Sequence, residues 1–204
     1  DGRYSDVVPS HAIPISEITG GAEQAVGDLT NVTAKNIRET LKTGLFRPVA
    51  ENTYEWAHKT FSEFLAAYYI YIHGTTKEKI FSLIRSGLSG NDHVVPQLRE
   101  VAAWLSALDH QVWEDMVAQE PGLLLSSDVA LESDEDRRVL VGELIKKLDS
   151  LETYDKSEWR SYYKRLNHSE LAAQLAPIIR DKTKNIVVRR TAIDIAEACL
   201  RLDL

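Results

Sequence analysis

The stretch that decides the fold is Trp56-Ala57-His58-Lys59-Thr60-Phe61-Ser62-Glu63-Phe64-Leu65-Ala66-Ala67-Tyr68-Tyr69. Apolar side chains recur within and just after it at the spacing of one helix face, and this pattern predicts an amphipathic helix with a single apolar stripe. The residues of that stripe are Phe61, Phe64, Leu65, Tyr68 and Ile72. Gly74 is suited to end the helix, because glycine readily adopts the left-handed conformation that follows many helices.

Two short runs of residues that favour strands precede this helix. Residues 45–49 and 53–57 flank the polar segment Ala50-Glu51-Asn52, and this arrangement predicts a β-hairpin. A further helix is expected before the hairpin, from Thr33, which can cap it, to Gly44, which can end it. The order helix, hairpin, helix is typical of the end of a winged-helix domain, whose earlier helices we expect to be incomplete or missing here.

The rest of the chain divides into an irregular start and a long helical region. Residues 1–32 are rich in proline, glycine and serine, and Gly20-Gly21 is expected to break any regular element. Beyond Gly74 the apolar spacing is helical to the end, which favours a solenoid or an irregular bundle. We therefore expect a mainly α fold: residues 1–74 as a partial winged helix with an irregular start, and residues 75–204 as a HEAT-like helical region.

Local signals mark several helices in this second region. Thr75 and Glu78 have the spacing of a capping box. Ser133 is expected to be an N-cap, with Asp136 three residues later. Four large apolar residues near the carboxyl end predict one more helix. These are Trp159, Tyr162, Tyr163 and Leu166.

Composition narrows the classes of protein to which the chain can belong. It has 204 residues, a formal net charge of −7 and the single cysteine Cys199, so an internal disulfide or a cysteine-based zinc site is excluded. No apolar run approaches the length of a membrane span and no signal peptide is visible, which indicates a cytoplasmic protein without a membrane partner. Since the chain opens at Asp1 without an initiator methionine, we expect it to be part of a longer protein.

Signatures of catalysis are missing from the sequence. The phosphate-binding pattern G-x-x-x-x-G-K-[S/T] does not occur, and neither does the zinc-binding pattern H-E-x-x-H. The acidic run from Glu132 to Asp136 lacks the glycine of a calcium loop and stands where a helix is expected to begin, so its interaction with the helix dipole accounts for it. We therefore expect no enzymatic activity, no bound cofactor and no metal site in this chain itself.

The opening stretch resembles the F-x-H-x-x-F-x-E-F-L-A-A signature of the winged-helix domain in NACHT-type STAND NTPases, a class that includes the NOD-like receptors and related bacterial defence proteins. Trp56 replaces the first aromatic residue of that signature. The resemblance implies that His58 contacts the β-phosphate of ADP in an upstream NTPase domain of the same chain. It assigns the remaining matches to the fold signature, namely Trp56, Phe61, Glu63, Phe64 and Leu65.

This resemblance also implies a role. The chain would be the regulatory part of a signal-transducing ATPase that uses ADP or ATP with magnesium, with a protein ligand or self-association on activation. Within the helical region, Asp181 and Arg189 resemble the pair that joins neighbouring turns of a HEAT repeat. The alternative hypothesis is that the chain is a free-standing helical-repeat scaffold that binds other proteins.

Three residue groups keep simpler interpretations open. In the simpler interpretation, His58 does no more than cap its helix or pack beside Trp56. Glu63 is expected to face away from the apolar stripe, towards solvent or a domain interface. Basic residues on the helix before the hairpin could bind a partner or, as in DNA-binding winged helices, a duplex, although the acidic net charge makes nucleic acid the less favoured partner. The basic candidates are Lys35, Arg38 and Lys42, Arg47 on the hairpin, and Arg189 and Arg190 near the carboxyl end.

Overall fold

The computed structural model describes residues 12–25, 28–85, 93–127, 129–151 and 157–199. The described residues form a mainly helical protein, with two small antiparallel hairpins followed by a helical region. They divide into two compact units, residues 1–62 and residues 63–204, and the division falls inside a helix. The boundary expected from the sequence lies at the end of that same helix, at Gly74.

The first unit begins with a short turn and a hairpin. A 3-10 turn at Ile15–Glu17 is followed by strands β1 (Ala22–Ala25) and β2 (Asp28–Asn31), which pair antiparallel. This hairpin was not predicted, because the sequence Gly20-Gly21 indicates only a break in regular secondary structure. Both glycines have positive φ angles, of 102° and 73°, so the dipeptide forms the bend that leads into β1.

Helix α1 and the second hairpin follow as expected. Helix α1 (Ala34–Thr40) is capped by Thr33, whose hydroxyl accepts the N–H of Asn36 at 3.2 Å. Strands β3 (Phe46–Ala50) and β4 (Thr53–Trp56) pair antiparallel across a tight turn. Asn52 occupies that turn with a left-handed φ of 55°, a conformation that asparagine tolerates better than most residues.

Helix α2 (Lys59–Ile72) forms where the sequence predicts it, but its buried face is different. Glu63 is only 8% exposed and Ala67 is fully buried, whereas Phe61 is 39% and Ile72 45% exposed. Of the two environments expected for Glu63, solvent is therefore wrong, and nothing in these values tests the other, a domain interface. The predicted stripe is not the face most deeply buried. Apolar residues cover more than one side of this helix, so periodicity alone does not identify the packed side. Gly74 ends the helix in the expected left-handed conformation, with φ of 59°.

The helical unit continues with a series of short and medium helices. Its 3-10 turns lie at Pro96–Leu98, Ser157–Ser161 and Tyr163–Leu166. Its further α-helices in the described ranges are α3 (Lys77–Ile84), α4 (Arg99–Leu108), α5 (His110–Gln119), α6 (Pro121–Ser126), α7 (Asp134–Asp149), α8 (Leu171–Arg180) and α9 (Ile186–Ala198). The helix predicted around Trp159 is thus replaced by two 3-10 turns.

The two predicted helix starts at Ser133 and Thr75 have different outcomes. At α7, the N-cap Ser133 is confirmed: its hydroxyl accepts the N–H of Asp136 and the Asp136 carboxylate accepts the N–H of Ser133, both at 3.0 Å, which completes a capping box. At α3, the box from Thr75 is wrong, because the helix begins one residue later and Thr76 takes the capping position.

Apolar burial is concentrated in the helical unit. Its core includes Leu105, Met116, Leu124 and Leu144, each at most 1% exposed. Among the described residues of the first unit, no hydrophobic side chain is buried. Every helix in the described part of the chain is too short or too polar to cross a lipid bilayer.

The last helix pair departs from the HEAT pattern in one contact. The ion pair implied for Asp181 and Arg189 is not formed. Instead, Arg189 Nε donates to the carbonyl of Ile179 at 3.0 Å, and the carboxylate of Asp181 accepts the N–H and hydroxyl of Thr183. These hydrogen bonds from Thr183 lower the pKa of Asp181 below its usual value. Arg189 therefore closes the turn through a backbone carbonyl.

Gly122 in α6 lies directly against the indole of Trp159. A Cβ atom at this position would lie 2.3 Å from Cζ2 of Trp159, well inside van der Waals contact. Trp159 is buried, so its ring has little room to move away. The close approach of α6 to the 3-10 turn at Ser157–Ser161 thus depends on the absence of a side chain at residue 122.

We expect Gly122→Ala to lower the free energy of unfolding by about 1–3 kcal/mol, the usual cost of overpacking. Gly142→Ala is the matched control, because a Cβ there meets only Gln174 Nε2 at an ordinary 3.7 Å. Alanine favours helix over glycine by about 0.5–1 kcal/mol, so the control should be neutral or stabilising. Urea denaturation of both variants measures the difference, and equal stabilities would contradict the packing argument.

Candidate functional site

His58 stands at the capping position of α2. It is exposed and directly precedes Lys59, the first residue of the helix. Its ring Nδ1 accepts the N–H of Thr60 at 3.4 Å and lies 3.0 Å from the Thr60 hydroxyl. The N–H groups of a first helical turn lack partners within the helix, so this contact satisfies one of them. The simpler interpretation of His58 as a helix cap is therefore compatible with the geometry.

The capping contact leaves the other ring nitrogen available. A neutral imidazole carries its proton on one nitrogen only, so a ring that accepts at Nδ1 donates at Nε2. Within the described ranges, Nε2 of His58 has no hydrogen-bond partner. The same side chain can thus cap α2 and present one N–H donor to a group outside this chain.

Aromatic rings surround this helix start. The Phe61 ring lies edge-on to His58, with centroids 6.3 Å apart, and Trp56 stacks on Phe46 at 4.4 Å across the hairpin. Phe46 and Trp56 are opposite each other in the strand register, which is the position where aromatic pairs contribute to hairpin stability. Trp56 and Phe61 both remain partly exposed, so they border His58 with an apolar surface.

The remaining signature residues take no part in this surface. Glu63 is buried, Leu65 is partly buried, and Phe64 packs edge-on against Trp104 with centroids 5.0 Å apart. The structure therefore separates Trp56 and Phe61, which lie at the helix entry, from Glu63, which is buried, and Phe64, which packs on Trp104.

The basic residues of the first unit are also separated. Lys35 lies 3.9 Å from the Glu39 carboxylate, and Arg47 Nε donates to Glu55 at 2.6 Å across the hairpin. Arg38 and Lys42 instead face a cleft of about 420 Å³. The cleft is lined by Ile15, Arg38, Leu41, Lys42, Asn52 and Tyr54. Helical spacing in the sequence grouped Lys35 with Arg38 and Lys42, but only Arg38 and Lys42 line this cleft.

The second basic group is engaged within the helical unit. Arg189 donates to the Ile179 carbonyl, as described above. Arg190 Nε lies 4.0 Å from the carboxylate of Asp194, which also receives Arg160 at 2.7 Å. Both arginines therefore have structural partners, although Arg190 is held loosely.

A groove between α5 and α7 was not predicted from the sequence. Its volume is about 370 Å³, and its lining includes Trp113, Val117 and Val139 together with four carboxylates, those of Glu114, Glu135, Asp136 and Glu143. Arg138 donates to Glu135, and the hydrogen bond to this guanidinium lowers the pKa of the Glu135 carboxyl. Helical spacing could have placed these side chains on two helices, but it could not have brought the helices together.

These arrangements limit the chemistry that the described residues can perform. Within the described ranges, no group of three or more histidine, cysteine or acidic side chains is placed to hold a metal ion. His58 offers a nucleotide a single donor, so the residues present fit one phosphate contact and do not form a complete ADP–magnesium site. The chain matches no protein-family model, no curated protein and no solved structure.

We expect His58→Ala to remove the cap of α2 and to lower the free energy of unfolding of the helix start by about 0.5–1 kcal/mol. His58→Asn is the matched control, because an asparagine oxygen accepts the Thr60 N–H as well as imidazole does. Amide hydrogen exchange at Thr60 measures the effect. Faster exchange in the alanine variant alone is the expected result, and unchanged exchange in both variants would contradict the capping role.

Proposed function

We propose that this chain is the regulatory region of a signal-transducing NACHT-type STAND NTPase, in which the winged helix senses the nucleotide state and the helical region receives a protein ligand. Such proteins would act in bacterial defence or signalling, in the cytoplasm. The observation that carries the proposal is His58, which matches the signature histidine and presents an exposed Nε2 donor at the start of α2. A hydrogen bond from this donor to a phosphate oxygen is charge-assisted and therefore stronger than a neutral one.

A second apolar face of α2 supports docking to another surface. Phe61, Leu65 and Ile72 share one side of the helix, while the buried Glu63 and Ala67 lie on the other side at helical spacing. Two of the three are more than a third exposed: Phe61 at 39% and Ile72 at 45%. A contiguous apolar face with a histidine donor at its end is suited to a protein surface that carries a phosphate group. We assign that surface to the upstream NTPase domain of the same chain.

The described part of the first unit supports the same conclusion, because none of its hydrophobic side chains is buried. It has apolar residues such as Ile18, Val49 and Trp56, and all three are more than a third exposed. Burial of apolar area is the main favourable term in folding, and small units that bury little of it are marginally stable alone. Packing against another domain would bury these side chains.

Regulation through His58 requires that its contact differ between two states. A ligand shifts a conformational equilibrium only by the difference in its affinity for the two states. One hydrogen bond to a charged group contributes about 1.5–3 kcal/mol, which corresponds to roughly a tenfold to hundredfold change in population. A single histidine is thus sufficient to favour the ADP-bound resting state in the proposed switch.

The alternative function is a helical-repeat scaffold that binds other proteins. The observation in its favour is the outer side of α9, where Ile186 is 71% and Ile193 46% exposed one heptad apart. In that case, Ile193→Asp would abolish partner binding and His58 substitutions would leave it unchanged.

We expect both His58→Ala and His58→Asn, made in the parent protein with its NTPase domain, to release ADP about tenfold faster or more, as the loss of one charge-assisted contact implies. Asparagine preserves the cap but lacks the Nε2 donor in the same position, so it separates the two roles. Dissociation of a fluorescent ADP analogue measures the rate. Full retention of ADP by the asparagine variant would show that His58 is only a cap and would refute the sensor role.

We expect Ile72→Asp in the parent protein to weaken the resting state, because a carboxylate on the docking face of α2 would be buried without a partner. Leu83→Asp on α3 is the matched control, since Leu83 is 57% exposed and lies off this face. Basal ATP turnover measures the loss of inhibition. A rise in the Ile72 variant alone supports docking, whereas equal behaviour of the two variants contradicts it.

A further inference from the structure

The cleft between α1 and the turn of the second hairpin contains two cations without an acidic partner. Arg38 lies on α1 and Lys42 in the turn just after it, and neither has an ion pair in the part of the chain that the structure describes. By contrast, Lys35 pairs with Glu39 and Arg47 pairs with Glu55. Two like charges that line one cleft repel each other. An anion between them would remove that repulsion.

Each polar side chain known to line this cleft can donate a hydrogen bond. Arg38 and Lys42 can only donate, Tyr54 contributes a phenolic O–H, and Asn52 contributes an amide with two N–H groups beside its carbonyl oxygen. Among the described residues that line the cleft, none is a carboxylate. Two cations and two further donors, with no acid among these described residues, favour an anion over a cation, although the chain as a whole has a net charge of −7.

The donors lie on or beside regular elements. Arg38 is on α1, and backbone hydrogen bonds from Leu41 to Ile37 and from Lys42 to Glu39 tie the turn that carries Lys42 to the end of that helix. Asn52 occupies the left-handed position of the hairpin turn, and Tyr54 follows on β4 and is partly buried. A site on such elements loses less conformational freedom on binding than a site on a loose loop.

Apolar side chains complete the cleft and indicate the size of its ligand. Ile15 from the 3-10 turn and Leu41 from α1 line it beside the donors. The volume of about 420 Å³ lies in the range of small-molecule sites and exceeds what an inorganic anion fills. The ligand is therefore expected to combine an anionic head with an apolar group.

We propose that this cleft binds an organic phosphate monoester, with the phosphate between Arg38 and Lys42 and the apolar group against Ile15 and Leu41. A phosphate dianion matches two cations, and a guanidinium can donate to it in bidentate fashion. The site is separate from His58, because the hairpin turn and His58 lie at opposite ends of strand β4. It is also independent of the proposed function, since it requires neither ADP nor an upstream domain.

Duplex DNA is a less suitable ligand for this surface. A DNA-binding face needs several cations arrayed along the backbone. Lys35 lies 3.9 Å from the Glu39 carboxylate and Arg47 donates to Glu55, so each has an acidic partner. The remaining pair converges on one cleft, which suits a single phosphate group.

The experiment titrates the 204-residue chain with phenyl phosphate at constant ionic strength and follows backbone amides by ¹H–¹⁵N NMR. Saturable shifts at Arg38, Leu41, Lys42 and Asn52 are expected. The double variant Arg38→Gln/Lys42→Gln should bind about tenfold more weakly or worse, since it loses two charge-assisted contacts. Lys35→Gln is the matched control: it removes the same charge from the same helix outside the cleft, and should bind as the unmodified chain does.

Two further measurements test which groups of the cleft bind the ligand. Tyr54→Phe removes one hydroxyl without changing charge and should weaken binding several-fold. Inorganic phosphate should shift the same amides with lower affinity, because it lacks the apolar group. Shifts that do not saturate, equal losses in Lys35→Gln and the double variant, or tight binding of duplex DNA without binding of phenyl phosphate would each overturn the proposal.

Discussion

Burial of apolar side chains is the constraint on which the rest of this structure depends. In the helical unit, Leu105, Met116 and Leu124 are fully buried, whereas no hydrophobic side chain is buried in the described part of the first unit. The first unit is held instead by local interactions, such as the Thr33 cap and the stacking of Phe46 on Trp56. Each contributes only about 1 kcal/mol, so this unit belongs to the low-stability part of the protein. Segments of low stability are the ones that change their contacts most easily when a partner binds.

The two sides of helix α2 differ in burial. It carries buried residues on one side, including the acidic Glu63, and the partly exposed Phe61 and Ile72 on the other. In the proposed switch, nucleotide contacts His58 just before the first residue of α2, while the apolar side of the same helix binds and releases a neighbouring domain. The two events are coupled because one helix carries both.

Short-range signals in the sequence predict local structure correctly, but they do not predict packing. Thr33 and Ser133 marked two helix starts and the turn before Thr53 marked a hairpin, because capping and turn chemistry act within a few residues. The buried side of α2 was assigned wrongly, because apolar residues occur on more than one of its faces and only the tertiary neighbours select between them. The cleft was found in part: helical spacing grouped Arg38 with Lys42, but it could not show that Asn52 and Tyr54 come from the hairpin to join them.

The geometry at His58 restricts how a nucleotide signal could act. Because Nδ1 accepts the N–H of Thr60, the ring must keep a lone pair on that nitrogen for as long as the cap persists. A doubly protonated ring has no acceptor and would lose the cap. A phosphate contact that preserves this cap is therefore made through Nε2, which leaves the start of α2 intact whether or not nucleotide is present. Loss of ADP would then release α2 from its neighbour without unfolding it, and the helical unit would receive the signal as a displacement of an intact helix.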